Sequence, residues 1–346
     1  MEKHSSFGPS SAARWTVCTK SITLEKEIDY KYIGDKSYSE MGSKLHDIAE
    51  KMLKGDLDTI VEKELMVKVR PYVEYVKSIN TPNSTMFIEK RVDYSFIDAD
   101  NTENDKFGTA DCIIIDDDTL HVIDLKTGFV TVEAVNNLQL LLYAIGAVNE
   151  FSSYNFKNIR LHVCQTTLDG GMNIDYWDLE RDVLKNEWEQ KFKNSINEIK
   201  QGGVYRPGID QCKYCKVVGS CPAVKDTIIN KYKEIMDKEE IKVTDEDRKW
   251  VLDNFKLLKL FHSAVEMEVK DKLKDGGIFE GYVLANSPGR RKIGDFEESA
   301  LFENYGENIY TKSLKGILEL EKLIGKDELS KYTEVVQGQE VLKKIV

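Results

Sequence analysis

The sequence predicts an α/β protein, because apolar runs with strand-like alternation occur among longer stretches with helical periodicity. A chain of 346 residues is long enough for a sizeable core and for two domains. We expect a first domain over residues 1–235 and an accessory α+β region over residues 240–346.

The predicted elements follow one another in a definite order. In chain order they are helices over 38–54 and 57–80, a strand over 86–97, a strand–turn–strand unit over 112–123, a helix over 131–149, strands over 157–165 and 173–178, and a helix over 179–201. A charged helix over 225–240 and a capped helix over 244–274 are expected next.

The charge balance limits the function classes. The net charge of −11 argues against a protein that coats nucleic acid non-specifically, which needs a broad basic surface. No run of 18 apolar residues is present, so we expect no transmembrane helix and no membrane partner. The first residues contain no apolar signal core, which makes a cytoplasmic location the expectation.

Two acidic residues and a lysine stand at strand ends. Asp111 begins the strand–turn–strand unit, and Asp124, Leu125 and Lys126 end it. Alternation places Asp124 and Lys126 on one face, and antiparallel pairing brings Asp111 to the same end. Carboxylate oxygens suit Mg²⁺ or Mn²⁺, and a neighbouring lysine can offset charge on a phosphate. The alternative is two structural carboxylates and a solvated lysine.

Other polar residues on predicted elements are candidates for the same site. His46 and Glu50 share one helix face, and so do Gln139 and Tyr143, because both pairs are four residues apart. The first pair is either a surface pair or includes a metal ligand, and the second is either an interface or part of the site. Glu89 either faces the site or pairs across the strands.

Six cysteines are present, and three of them lie within ten residues, as Cys212, Cys215 and Cys221. Such spacing is typical of zinc or iron–sulfur ligation. Cys112 and Cys164 stand in apolar strands and are predicted to belong to the core.

These motifs together resemble the PD-(D/E)XK nucleases, in particular the RecB-like nucleases. Asp111 resembles the first acid of that family, and Asp124 to Lys126 resemble its D-x-K motif, with Asp124 where many relatives carry Glu. Gly42, His46 and Glu50 are similar to the first RecB-like motif. Gln139 and Tyr143 are similar to the fourth.

The cysteine pattern is similar to the iron–sulfur branch of the RecB-like nucleases, of the phage-encoded type. In that branch Cys18 would join Cys212, Cys215 and Cys221 around a [4Fe–4S] cluster, with Zn²⁺ as the alternative. The resemblance implies a restriction-endonuclease-like mixed central sheet flanked by helices, an iron–sulfur clasp that holds the two chain ends, and a C-terminal α+β extension. It covers residues 10–225.

The resemblance also implies a Mg²⁺- or Mn²⁺-dependent deoxyribonuclease, expected to be an exonuclease of DNA replication or recombination. The implied ligands are His46, Asp111, Asp124 and the Leu125 main-chain carbonyl, and the implied catalytic residues are Asp111, Asp124, Lys126, Gln139 and Tyr143. The expected partners are linear duplex or single-stranded DNA and a single-strand annealing or replication protein.

One basic cluster and one alternative function complete the expectations. Arg290, Arg291 and Lys292 form the most basic local run, which either contacts phosphates or is a solvated turn. The alternative to a nuclease is a catalytically degenerate DNA-end-binding or scaffold protein stabilised by a four-cysteine metal site.

Overall fold

The computed structural model describes residues 6–27, 37–100, 105–128, 130–167, 171–236, 244–293, 298–310, 314–336 and 340–344. The chain forms two compact units, Met1–Ala264 and Val265–Val346. None of the described helices is long and apolar enough to cross a membrane.

Both units contain several helices. In chain order they are α1 (Ala12–Trp15), α2 (Ser21–Lys26), α3 (Ser37–Lys54), α4 (Met66–Ile79), α5 (Leu138–Glu150), α6 (Arg181–Val183), α7 (Gln190–Lys200), α8 (Ile209–Cys212), α9 (Pro222–Met236), α10 (Asp245–Lys274), α11 (Glu298–Tyr305), α12 (Ile317–Ile324) and α13 (Lys326–Leu329). A π-helical segment, Leu184–Glu189, joins α6 to α7.

The first unit is built on a mixed five-stranded sheet with the order β1-β2-β3-β4-β5. Its strands are β1 (Thr85–Asp93), β2 (Phe107–Ile115), β3 (Thr119–Lys126), β4 (Asn158–Thr166) and β5 (Met172–Glu180). Only the pairing of β3 with β4 is parallel, and α5 provides the crossover between these strands. The predicted α/β class with a mixed sheet and flanking helices is therefore confirmed.

Helices cover both faces of the sheet. One buried cluster joins α5 and α7 to the strands through residues such as Leu141, Val122 and Leu161. A second cluster joins α3 and α4 to the opposite strand faces through residues such as Ile48, Tyr72 and Leu125. Since both faces are covered, β3 is buried along almost its whole length.

The second unit contains two small sheets and its own core. Strands β6 (Tyr282–Asn286) and β9 (Glu340–Lys344) pair antiparallel, and so do β7 (Arg290–Ile293) and β8 (Thr333–Val336). Its buried residues include Leu301, Ile309, Leu320 and Leu329.

The first compact unit includes α9 and the first part of α10. The first unit extends to Ala264 because Leu257 of α10 shares a buried cluster with Val224 and Ile228 of α9. The expected break at 236–239 falls at the end of α9, and residues 237–243 lie outside the described part of the chain.

The helix predicted over 131–149 begins at Leu138 instead. The preceding backbone is held by side chains of the sheet, since the N–H of Val132 donates to Gln165 and the N–H of Ala134 donates to Asp175. The Asn137 side chain then accepts hydrogen bonds from the first turn of α5 and caps the helix. Gln139 therefore lies in the first turn, beside the end of β3.

Two histidines form a buried polar chain within the sheet. His121 Nδ1 of β3 lies 3.0 Å from His162 Nε2 of β4, and His162 Nδ1 lies 2.9 Å from the hydroxyl of Tyr75. Asp116 lies 3.4 Å from the other end of the chain, at His121 Nε2. Burial lowers the pKa of His162 to about 3 and also lowers the pKa of His121. Both rings are therefore neutral at pH 7.

This pair makes the stability of the fold depend on pH. In the unfolded chain each histidine takes up a proton near pH 6.5, whereas folded His162 does so only near pH 3. The free energy of unfolding should therefore fall as the pH falls below 6.5, by about 1.4 kcal/mol per pH unit for His162. Urea unfolding at pH 7.5 and pH 5.5 measures this dependence, and His162→Gln should reduce its slope. Equal slopes in both proteins would contradict the assignment.

Candidate metal centre

Asp111 lies in the middle of β2, beside the end of β3. The antiparallel register pairs Cys112 with Ile123, which brings Asp111 to the end of β3. Asp111 Oδ2 accepts a hydrogen bond of 2.6 Å from the N–H of Leu125, and Asp111 Oδ1 lies 3.2 Å from His46 Nδ1 of α3. One carboxylate therefore links the helix that carries the histidine to the strand that carries the second acid.

Asp124 and Lys126 share one face of β3, as alternation predicts. Lys126 Nζ lies 2.7 Å from Asp124 Oδ2 and donates a hydrogen bond of 2.8 Å to Gln139 Oε1. The amide group of Gln139 donates to Asp124 Oδ1 at 3.1 Å and to the Tyr143 hydroxyl at 3.2 Å. Gln139 thus fixes both the acid and the lysine.

One oxygen of Asp124 has no hydrogen bond. Asp124 is 2 % exposed, and its Oδ2 atom has no hydrogen-bond partner among the described residues. Lys126 Nζ lies 2.7 Å from this oxygen and forms an ion pair with it, but not a hydrogen bond. Burial and the charge of Asp111 together raise the pKa of Asp124 to about 6, although Lys126 opposes the shift. The Lys126 ammonium 2.7 Å away thus offsets only part of the unfavourable burial, and a second cation would offset more of it.

Glu89 joins the site from β1. Ligand atoms of His46, Glu89 and Asp111 lie within 4.8 Å of one another, the only group of this kind in the described part of the chain. Glu89 lies opposite Asp111 at a break in the ladder and has a φ of 47°, which is unusual for a residue with a side chain. Burial raises its pKa to about 7, and the charge of Asp111 raises it further.

An open cleft of about 510 Å³ gives access to this group. It lies along the first turns of α3, where Gly42 and Ser43 line it, and reaches His46 and Glu89. Burial opposes protonation of His46, but the hydrogen bond with Asp111 raises its pKa above the ordinary value. The acidic wall and the single imidazole form a donor set that suits Mg²⁺ or Mn²⁺.

The donor set therefore fits the metal that the sequence motifs imply. His46 and Asp111 meet beside the end of β3, where the N–H of Leu125 contacts Asp111. Asp124 lies one residue before Leu125 and is outside the group formed by His46, Glu89 and Asp111. Glu50 forms an ion pair with Lys54 on the surface of α3. The sequence left the position of Glu89 open, because alternation cannot locate a residue at a break in the ladder.

The N-terminal segment packs against the same site. A Cβ atom on Gly108 would lie 2.8 Å from Tyr143 Cε1 and would also overlap Pro9, so only glycine permits this approach. The hydroxyl of Tyr94 lies 3.0 Å from the carbonyl oxygen of Phe7 and fixes the segment further. The ring of Tyr143 is thus enclosed from the N-terminal side.

The four cysteines proposed as ligands lie on two segments of the first unit that contact each other. The N–H of Lys20 donates to the carbonyl of Val204, and the N–H of Lys216 donates to Glu25. The Arg14 guanidinium donates to the carbonyl of Tyr214. These bonds tie residues 14–25 to residues 204–216.

The sulfur atoms of these four cysteines lie in one region of the first unit but do not form a compact group. Burial raises the pKa of the Cys212 thiol, and the neighbouring Cys18 and Cys221 thiols raise it further. Burial raises the pKa of Cys215 to about 12. No three cysteine sulfurs of the described chain lie within 4.8 Å of one another. Cys112 and Cys164 are fully buried in the core, as predicted.

The basic run predicted to contact phosphates lies in the second unit. Arg290, Arg291 and Lys292 belong to strand β7. Their contact with phosphates stays a prediction.

Comparison with known proteins gives a family without an assigned function. The family described as "Protein of unknown function (DUF2800)" matches residues 4–345. The crystal structure of a protein named SSO0001 is similar, with 15 % sequence identity over 61 % of this chain and 96 % of that chain. Its TM-score is 0.28, which is too low for an argument about fold or function.

The close approach at Gly108 can be tested with two glycine variants. Gly108→Ala should lower the free energy of unfolding by about 1–3 kcal/mol, because its methyl group overlaps Pro9 and Tyr143. Gly128→Ala is the matched control, since a Cβ there has no atom within 4 Å. Urea unfolding of both variants measures the difference. Equal stability of the two variants would show that the N-terminal segment does not pack tightly here.

Proposed function

We propose that this chain, which belongs to the DUF2800 family, is a metal-dependent nuclease that hydrolyses phosphodiester bonds in DNA. The proposal assigns it to the RecB-like branch of the PD-(D/E)XK nucleases. The observation that carries it is the network in which Lys126 contacts both Asp124 and Gln139, while Asp111 contacts both His46 and the main chain of β3.

A purely structural interpretation of these residues fits less well. Structural carboxylates in a protein interior are expected to be fully hydrogen-bonded. Asp124 is buried and has one oxygen without a hydrogen bond, which only an ion pair with Lys126 balances, and Glu89 has an unusual backbone conformation beside a like charge. A bound cation would offset this concentration of carboxylates. Such departures from ordinary packing are typical of functional sites.

His46, Asp111, Asp124 and the Leu125 carbonyl are proposed to hold the ion, with Glu89 as a further carboxylate on the cleft side. A bound Mg²⁺ or Mn²⁺ ion would activate water and offset the negative charge of the scissile phosphate. The cleft along α3 admits the substrate to this end of the sheet.

The remaining residues orient groups of the chain. Lys126 supplies a positive charge beside the phosphate position, where it would stabilise the additional negative charge of the transition state. Gln139 holds the side chains of Lys126 and Asp124 in place through hydrogen bonds, and the Tyr143 hydroxyl accepts a hydrogen bond from Gln139 one turn later in α5. The Gln139–Tyr143 pair is therefore proposed to order the catalytic residues.

The substrate and partner assignments belong to the same proposal. Exonuclease action on linear DNA, a role in replication or recombination, and a single-strand annealing or replication protein as partner rest on the motif resemblance. Arg290, Arg291 and Lys292 are proposed to contact DNA phosphates, which a chain with a net charge of −11 needs from a local basic surface.

The cysteines are proposed to hold a [4Fe–4S] cluster that clasps the two ends of the first unit. Support comes from the hydrogen bonds that join residues 14–25 to residues 204–216. Zn²⁺ bound by the same four cysteines is the alternative.

Cleavage of end-labelled linear DNA tests the nuclease proposal. With Mn²⁺, the wild-type protein should degrade 5′- or 3′-labelled DNA, and the label that is released first gives the polarity. Lys126→Ala should lower the rate at least about 100-fold, because it removes a charge that acts in the transition state.

Lys44→Ala is the matched control for this assay. Lys44 is an exposed lysine of α3 that pairs with Glu62, and its removal should leave cleavage unchanged. An RNA substrate of the same sequence tests the choice of nucleic acid. Undiminished cleavage by a folded Lys126→Ala protein, or no cleavage of any substrate by the wild type, would contradict the proposal. DNA-end binding without cleavage would favour a degenerate nuclease.

Elemental analysis and hydrogen exchange test the clasp. Anaerobically purified protein should contain about four iron atoms per chain. Cys215→Ser should lose iron and expose the amides of Lys20 and Val204 to exchange, because metal binding and folding of the two ends are coupled. Cys164→Ala, which changes a core cysteine, should retain the iron. Stoichiometric zinc, or iron content unaffected by Cys215→Ser, would rule out the cluster.

A further inference from the structure

Tyr72 of α4 carries a buried hydroxyl group without a partner. Its side chain is 1 % exposed, and the hydroxyl has no hydrogen-bond partner among the described residues. A hydroxyl that is removed from water and left unpaired destabilises a fold, whereas a phenylalanine would fill the same space without this effect. We therefore expect the hydroxyl to have a hydrogen-bond partner other than the described residues.

Tyr72 lies among apolar residues that adjoin the candidate metal centre. It belongs to the same buried cluster as Cys112, Leu125 and Cys164. Cys112 follows Asp111 in β2, Leu125 donates its N–H to Asp111, and Cys164 pairs with Leu125 across β3 and β4. Tyr72 thus shares a buried cluster with the residues of β2 and β3 that directly follow Asp111 and Asp124.

The environment of Tyr72 keeps its hydroxyl protonated. Burial raises the pKa of Tyr72 well above its ordinary value, and the charge of Asp111, followed by that of Asp124 among others, raises it further. The phenol is therefore protonated at every physiological pH and is available as a hydrogen-bond donor. Asp124 Oδ2 likewise has no hydrogen bond, although Lys126 Nζ forms an ion pair with it at 2.7 Å.

Another buried tyrosine of this chain shows the usual arrangement. Tyr94 is fully buried, and its hydroxyl lies 3.0 Å from the carbonyl oxygens of both Phe7 and Phe107. Tyr72 differs from Tyr94 in that its hydroxyl is directed to a place where the described residues offer no partner. A buried donor without a partner, in the cluster that adjoins the candidate metal centre, indicates that something besides the polypeptide completes its hydrogen bonding.

We propose that Tyr72 is a positioning residue of the divalent-cation site. Its hydroxyl donates a hydrogen bond on the Asp111 side of the site, directly or through one ordered water, and restrains that carboxylate when the cation is bound. The proposal rests on the proposed function only for the presence of the cation site. It does not depend on the cleavage of DNA.

Calorimetric titration of the whole chain with Mn²⁺ tests this role. Tyr72→Phe should weaken Mn²⁺ binding about 10- to 100-fold, the effect typical of a lost hydrogen bond behind a metal ligand. Without Mn²⁺ the variant should unfold at a temperature no lower than the wild type, since only an unpaired hydroxyl is removed. Tyr94→Phe is the matched control and should show a lower unfolding temperature with unchanged Mn²⁺ affinity.

The outcomes separate this proposal from the nuclease proposal. Unchanged Mn²⁺ affinity in Tyr72→Phe would overturn the positioning role, whatever the DNA assay shows. If the wild type binds Mn²⁺ but cleaves no nucleic acid, weaker binding by Tyr72→Phe still supports the role, and only the nuclease proposal fails. A wild-type protein that binds no Mn²⁺ would overturn both.

Discussion

The hydrogen bond from the N–H of Leu125 to Asp111 is the interaction on which the candidate site depends. It fixes the relative position of β2 and β3 at the one end where both strands carry an acid. Through its other oxygen Asp111 reaches His46, so the same carboxylate also places α3. A shift of one residue between β2 and β3 would send Asp111 to the opposite face and would dissolve the whole arrangement.

The second constraint is the starting point of α5. Because the sheet side chains of Gln165 and Asp175 hold residues 131–137 out of the helix, Gln139 enters the first turn directly beside Lys126. A helix that began at residue 131 would place two further turns in front of Gln139. The amide then links Asp124, Lys126 and Tyr143 in one network of hydrogen bonds.

Local sequence rules predict the parts of this structure that depend on local geometry. Alternation gives the shared face of Asp124 and Lys126, and apolar context gives the burial of Cys112 and Cys164. Long-range contacts set the rest. The position of Glu89 depends on a break in the β1–β2 ladder, and the end of the first unit depends on packing between α9 and α10. Neither contact leaves a periodic signal in the sequence.

The N-terminal segment connects the cysteine region to the candidate active site. From Cys18 the chain runs back through Trp15, whose indole N–H donates to Gly8, to Pro9, which packs on Gly108 beside Tyr143. Residues 14–25 are in turn tied to residues 204–216. A group that clasps these ends therefore restrains, through about ten residues of packed chain, the same tyrosine that supports Gln139. A metal cluster at the cysteines would therefore stabilise the proposed catalytic geometry as well as the two segments, because the packing of the N-terminal segment restrains the ring of Tyr143.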